Sequence, residues 1–159
     1  MAELVKPGER ILDMFAGVGT FSILIARRCS GCSITAIELN PDAYRYLVEN
    51  IRLNGVEDVV KPVEGDAREV LREVEGEYDR VIMDLPHSSL DFLDIGLRAC
   101  KPKGIIHFYG AAESVEQLEE RVLKRSKSLG HAVEVEYRRE VMEIAPRRFT
   151  FVLDLRRLS

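Results

Sequence analysis

Short β-favouring runs and longer helical patterns take turns along the whole chain, and this alternation constrains the fold more than any other feature. "RILDMF" (10–15) precedes "GTFSILIARR" (19–28), where Phe21, Leu24 and Ile25 recur at helical spacing. "SITAIEL" (33–39) leads into "PDAYRYLVENIRLNG" (41–55), which opens on Pro41, stops at Gly55 and lines Tyr44, Leu47, Val48 and Ile51 along one face. Further strands are expected at 58–66, 79–85 and 103–110, separated by helical stretches at 67–76 and 88–100. A helix over about 112–128 then gives way to two β-like segments near 131–142 and 147–155. Strand–helix alternation implies parallel strands joined by right-handed crossovers. The expected fold class is therefore α/β: a mostly parallel seven-stranded sheet with helices on both faces and an antiparallel C-terminal hairpin.

A chain of 159 residues, 46% of them hydrophobic, is enough for one domain with a real core. Residues 1–159 are read as a single domain, without repeats or an internal linker. No apolar run approaches the roughly 20 residues of a membrane span, and the N-terminus lacks the pattern of a signal peptide. A cytoplasmic protein without membrane contact is expected. Net charge is −4, yet residues 121–159 carry ten basic against five acidic side chains. Such a basic end is either a solvated face or a surface that meets phosphate. Cys29 and Cys32 have C-x-x-C spacing, but they lie between a helix end and a strand, not at a helix N-terminus, and no second pair completes a zinc set. They are read as structural, and no metal is expected.

In an open α/β sheet the ligand lies beyond the carboxyl ends of the strands, where strand order reverses. "DMFAGVGTF" (13–21) puts Gly17 and Gly19 at that end of the first strand. Glycine tolerates positive φ and lets a ligand approach the main chain. A dinucleotide wants a third glycine where Ser22 stands, and Asp13 would repel its pyrophosphate. Asp13 would instead accept a hydrogen bond from the cationic amino group of a methionine-like moiety, which favours S-adenosylmethionine. Glu38 ends the second strand and is placed to take ribose hydroxyls. Asp66 ends the third and is placed to take the adenine amine, with the Ala67 N–H meeting a ring nitrogen.

"VIMDLPHSS" (81–89) ends the fourth strand with Asp84-Leu85-Pro86. Methyltransferases acting on planar amide or amidine nitrogens carry D/N-P-P-Y/F at this point. Proline fixes φ and carries no N–H, so the preceding carbonyls and the Asp84 side chain are expected to point into the pocket and hold a base nitrogen. Leu85 replaces one proline and the aromatic is missing, so stacking must come from elsewhere.

"DMFAGVGTFSI", "AIELNPDAYRYLVENIRLN", "GDAREV", "RVIMDLP", "GIIHFYG" and "APRRFTFVLDLR" together resemble the catalytic domain of the Trm5 family. That family methylates N1 of guanosine 37 in tRNA, and the likeness covers essentially the whole chain. It implies a Rossmann-like class I methyltransferase fold, S-adenosylmethionine as cofactor and the tRNA anticodon loop as partner. The cofactor set it implies is Asp13, Phe15, Gly17, Gly19, Glu38, Leu39, Asn40, Asp66, Ala67 and Asp84; Asp84 and Pro86 are the catalytic candidates, and Arg147 is the substrate-binding one. The family carries Asn where this chain has Asp84, and it places a catalytic Glu, an Arg and a tRNA-binding domain upstream of the glycine motif. The chain is accordingly expected to lack those segments and to be weakly active alone, with Asp84 as its remaining base. The related wyosine-pathway aminocarboxypropyltransferases share the glycine motif but generally lack Asp-Leu-Pro, so methyl transfer is favoured. A silent cofactor-binding module is the other alternative.

The remaining candidates have plainer readings. His87 is expected in a loop, His107 as a satisfied core histidine, and Tyr109 at the pocket mouth or packed at its rim. Arg138, Arg139, Arg147, Arg148, Arg156 and Arg157 come as neighbours on strands, so at most one of each pair is expected to meet phosphate. Arg148, Arg156 and Arg157 are read as solvating an edge.

Overall fold

A computed structural model describes residues 4–159. Its strands are β1 (Arg10–Asp13), β2 (Ser33–Glu38), β3 (Val60–Glu64), β4 (Tyr78–Met83), β5 (Cys100–Ala112), β6 (Val133–Ala145) and β7 (Arg148–Arg157). They form one sheet in the order β3-β2-β1-β4-β5-β7-β6. β1 to β5 run parallel, while β7 is antiparallel to both β5 and β6. The chain steps outward from β1 to β3, then returns to lay β4 against the other side of β1. Strand order reverses between β1 and β4.

Among the described residues five α-helices cover the sheet: α1 (Thr20–Ala26), α2 (Pro41–Leu53), α3 (Ala67–Val70), α4 (Leu93–Ala99) and α5 (Val115–Ser128). Alternating side chains of each central strand enter opposite cores. Ile11, Ile34 and Ile82 pack with Ile25 of α1 and Leu47 and Ile51 of α2. Leu12, Val81, Met83 and Phe108 pack with Leu93 and Leu97 of α4 and Leu118 and Val122 of α5. α2 begins where it does because Asn40 accepts the Asp42 and Ala43 amides and Pro41 fills the first turn.

Two expected helices are shorter than their periodicity suggests. The 67–76 stretch makes one turn, α3, after which the Gly76 and Glu77 amides donate to Arg98 and Ala99 carbonyls at the end of α4. The 88–100 stretch opens as a 3-10 turn (Ser89–Phe92) before α4, because Ser89 binds the backbone behind it. Cys29 and Cys32 are joined by a disulfide across the connection from α1 to β2.

His107 is the satisfied core residue expected. Its Nδ1 lies 2.6 Å from Asp154 and its Nε2 2.6 Å from the Arg80 guanidinium. Arginine can only donate, so Nε2 accepts, Nδ1 carries the hydrogen and the ring is neutral. Burial, opposed by Asp154, holds its pKa below the ordinary value. Arg80 also reaches Glu9 and the Leu4 carbonyl, tying the incoming chain to the sheet. Around this network a groove of about 920 Å³ runs along the face of β5 and β7 opposite α4 and α5, rimmed by Tyr109, Tyr137 and Arg139. Among the described residues no helix is long and apolar enough to cross a membrane.

Candidate functional site

Register places the acids. Asp13, the last residue of β1, pairs with Ala36 of β2 and Ile82 of β4, so Glu38 and Asp84 each stand two residues further along on either side of it. Glu38 in turn pairs with Glu64, and Asp66 lies two residues beyond that. Four carboxylates thus crown four adjacent strands, with Asp13 and Asp84 astride the reversal point.

Asp13 is buried, and only one of its oxygens is satisfied. Oδ2 accepts the Ser22 hydroxyl at 2.7 Å, whereas Oδ1 has no partner. Burial, assisted by the Asp84 and Glu38 charges and opposed by Ser22 and the Phe15 amide, pushes its pKa up to about 6. A buried polar atom without a partner is costly, and this one faces other carboxylates, so a cationic donor fits it. Burial likewise raises Asp84, and among the described residues no hydrogen bond or ion pair engages its carboxylate.

Glu38 is oriented by backbone on both sides. Oε2 accepts the Gly17 amide at 2.8 Å and Oε1 the Asn40 amide at 2.7 Å. Each oxygen keeps a lone pair for a further donor, as two ribose hydroxyls would supply. The adjoining Leu39 is 64% exposed, an uncovered apolar surface beside that position. Asn40 stands beside Glu38, to which its amide donates. Its side-chain oxygen is engaged in capping α2, so it shapes the site through the backbone.

The two glycines separate. Gly17 has φ 56° and nothing within 4 Å of where a Cβ would lie, so open space stands above it for a ligand. Gly19 has φ 95°, but its Cβ would sit 2.7 Å from Leu47 of α2. Gly19 serves close packing of the turn on α2, and Asn50 of α2 reinforces it by donating to the Val18 carbonyl at 3.0 Å.

Asp66 caps α3 by accepting the Arg68 amide at 2.7 Å, with its other oxygen 3.7 Å from the Arg68 guanidinium. Ala67 follows at the first helical position, where a helix leaves its N–H free. The Arg68 guanidinium lies 3.8 Å from the Phe92 ring centre, and Phe15 meets Phe92 edge-on at 5.0 Å. Phe15 and Ala67 belong to the same wall as the acids.

The Asp84-Leu85-Pro86 loop corrects one expectation. Its carbonyls are largely turned inward: Leu85 accepts from the Ser88 and Ser89 amides, and Pro86 from the Ala111 amide. Ser89, itself buried, bridges the loop through the Met83 and Leu85 carbonyls and the Leu85 amide. What the loop offers the crevice is the Asp84 carboxylate, with Pro86 closing the turn and His87 exposed beyond it. Tyr109 is buried near Asp84 and packs on Phe21 at 5.8 Å; burial, with the Asp84 charge, pushes its hydroxyl up to about 12. Ser22, Ser89 and Asn50 were not singled out from sequence. The one available signal was a small polar residue at a position the pattern reserves for core or turn.

The arginines sort by partner. Arg138 pairs with Glu119 and Arg156 with Glu136, while Arg157 is buried and donates to the Leu97 and Cys100 carbonyls, so it does not solvate an edge. Arg147 occupies the β6–β7 turn and is exposed. Among the described residues no group of His, Cys, Asp or Glu is placed to hold a metal ion.

Residues 1–138 match the TRM5/TYW2 methyltransferase domain. The chain belongs to that family. It is 38% identical over 157 residues to the tRNA (guanine(37)-N(1))-methyltransferase Trm5b of Pyrococcus abyssi, covering 97% of this chain and 46% of that relative. It is 40% identical over 128 residues to the tRNA(Phe) (4-demethylwyosine(37)-C(7)) aminocarboxypropyltransferase of Methanocaldococcus jannaschii, covering 80% and 49%. The solved structure of M. jannaschii TYW2 in complex with AdoMet superposes with a TM-score of 0.90 at 33% identity, covering 98% of this chain and 71% of that one. The chain spans about half the length of the curated relatives it matches. Among TRM5/TYW2 domains, its strand-end acids and glycine turn lie on the α/β scaffold that the sequence led us to expect.

Proposed function

We propose that this TRM5/TYW2 domain binds S-adenosylmethionine across the β1/β4 reversal point and directs its methyl group to N1 of guanosine 37 in tRNA. The observation that carries the reading is the unpartnered, buried Asp13 Oδ1 beside Asp84 and Glu38. A ligand that brings a cationic amino group to Asp13 and a vicinal diol to Glu38 satisfies these groups together. Asp13 would hold the amino group, Glu38 the ribose, and Asp66 with the Ala67 N–H the adenine edge. Phe15, Leu39 and the bare backbone of Gly17 would line the remainder.

The chemistry supplied by the cofactor is an electrophilic methyl group on a sulfonium. The protein's part is to orient guanine N1 and to take its proton. Asp84 is the carboxylate free to do so: as the N1–C bond forms and the methyl–sulfur bond breaks, the N1 proton passes to an Asp84 oxygen. Its raised pKa makes it a better base than an exposed carboxylate. Pro86 and Ser89 hold the loop that presents it. The Asp-Leu-Pro sequence supports methyl transfer over aminocarboxypropyl transfer.

Mass spectrometry of nucleosides from unmodified tRNA incubated with the chain and S-adenosylmethionine tests the reading. 1-Methylguanosine at position 37, lost in Asp84→Ala, is expected. An aminocarboxypropyl adduct, or methylation that is indifferent to Asp84, would overturn it.

A further inference from the structure

The tip of the C-terminal hairpin, the end of β5 and the start of α5 line a half-open cavity of about 360 Å³. Arg121, Arg147 and Arg148 line it, with Glu113 and Gln117 on the α5 side. We propose that this cavity is a binding site for a phosphodiester of the RNA backbone next to the target nucleotide. The proposal rests on the tRNA reading above for the identity of the polymer, but the phosphate chemistry stands on the cavity alone.

Partnership distinguishes these arginines from their neighbours. Arg138 and Arg156 are each held by a glutamate, and Arg157 by backbone carbonyls. Among the described residues, Arg121, Arg147 and Arg148 make no ion pair, although all three are within one cavity. Three exposed guanidiniums against the single carboxylate of Glu113 leave an excess of positive charge that suits an anion.

The α5 amides do not supply the site. Ser114 accepts the Gln117 amide, and the Gln117 side chain accepts the Glu113 amide, so that end of α5 is already closed. Arg121 projects from the next turn on the Gln117 side of the helix. Arg148 opens β7 opposite Ala145, and Arg147 sits in the intervening turn.

Location ties the cavity to the reaction. Ala111 lines it, and the Ala111 amide donates at 3.0 Å to the Pro86 carbonyl of the Asp84 loop. A phosphate held here is one hydrogen bond removed from the loop that would face the base. Sequence reading singled out Arg147 alone; the fold adds Arg121, 26 positions earlier, and brings in Arg148 from the same pair.

The test uses an anticodon stem–loop RNA and the Arg121→Gln/Arg148→Gln double variant. Fluorescence anisotropy across a salt series should show about tenfold weaker binding. The slope of log affinity against log salt should be shallower by about 0.7 for each phosphate that the variant no longer neutralises. Thermal stability and S-adenosylhomocysteine affinity should be unchanged. RNA binding with the wild-type affinity and slope would overturn the site. If the wild-type chain binds no RNA, tripolyphosphate titrated against the arginine Nε–H resonances decides. Shifts at Arg121 and Arg148 would uphold a phosphate site while the RNA reading falls, and their absence would overturn both.

Discussion

Ser22 donates to Asp13 from the first turn of α1 at 2.7 Å, and both side chains are shut off from water. Among the described residues this bond is the one side-chain hydrogen bond to the Asp13 carboxylate. Ser22→Ala should raise the Asp13 pKa above about 6 and weaken S-adenosylhomocysteine binding at pH 7 about tenfold, the scale of one hydrogen bond to a charged group. Calorimetry over a pH series would measure both. Unchanged affinity would remove Asp13 from the cofactor's amino end.

Asp13 also sets a pH dependence. Its pKa rises from 3.8 unfolded to about 6 folded, so its contribution favours the folded chain when protonated and is lost as pH rises through this window. Asp13→Asn should therefore stabilise the ligand-free chain at pH 8 by up to about 3 kcal/mol and do little at pH 4. Cofactor affinity runs the other way. It should fall about tenfold per pH unit below about 6 in the wild type, as binding must first ionise Asp13. Thermal melts and calorimetry at the two ends of the range would check the pair of signs.

Glu38 holds two amides with two oxygens, and a glutamine has only one oxygen to give. Glu38→Gln forces its NH2 against either the Gly17 or the Asn40 N–H. Cofactor affinity should drop at least tenfold in this nearly isosteric variant, as measured by calorimetry. A glutamine that binds like the wild type would mean that the ribose is held elsewhere.

Ser89→Ala removes the bridge across the Asp84 loop while leaving every cofactor contact in place. The half-buried Leu85 amide loses its acceptor, a cost of about 1 kcal/mol. Methyl transfer to tRNA should slow by about tenfold or more at saturating cofactor, with S-adenosylhomocysteine affinity held. Single-turnover kinetics beside calorimetry would separate the two.

Arg147 has φ 60° in a turn where glycine would be unstrained. Arg147→Gly should stabilise the chain by about 1 kcal/mol in denaturant titrations while weakening binding to an anticodon stem–loop. A variant that gains stability and keeps RNA affinity would leave that arginine without a role in recognition.

Most of the scaffold was legible because period-two and period-3.6 patterns follow directly from which side chains meet the core. α2 is the clearest case, with Pro41, Leu47, Ile51 and Gly55 all in agreement. α3 was not legible, since the Leu71 carbonyl at its end accepts from the Arg98 side chain, far along the chain. In the site, Asp13, Glu38, Asp66 and Asp84 could be read from strand ends, as register is local to neighbouring strands. Ser22 and Ser89 could not, because their roles depend on the direction of a hydroxyl. At Gly19 the closeness of Leu47 is a further constraint that only tertiary packing reveals.

The reversal of strand order between β1 and β4 divides the labour of the domain. Everything proposed to hold the nucleoside hangs from β1, β2 and β3, and everything proposed to meet the acceptor hangs from β4, β5, α5 and the hairpin. A lineage can then exchange one half's loops, and with them the group delivered or the base that receives it, while the other half continues to recognise the same donor molecule.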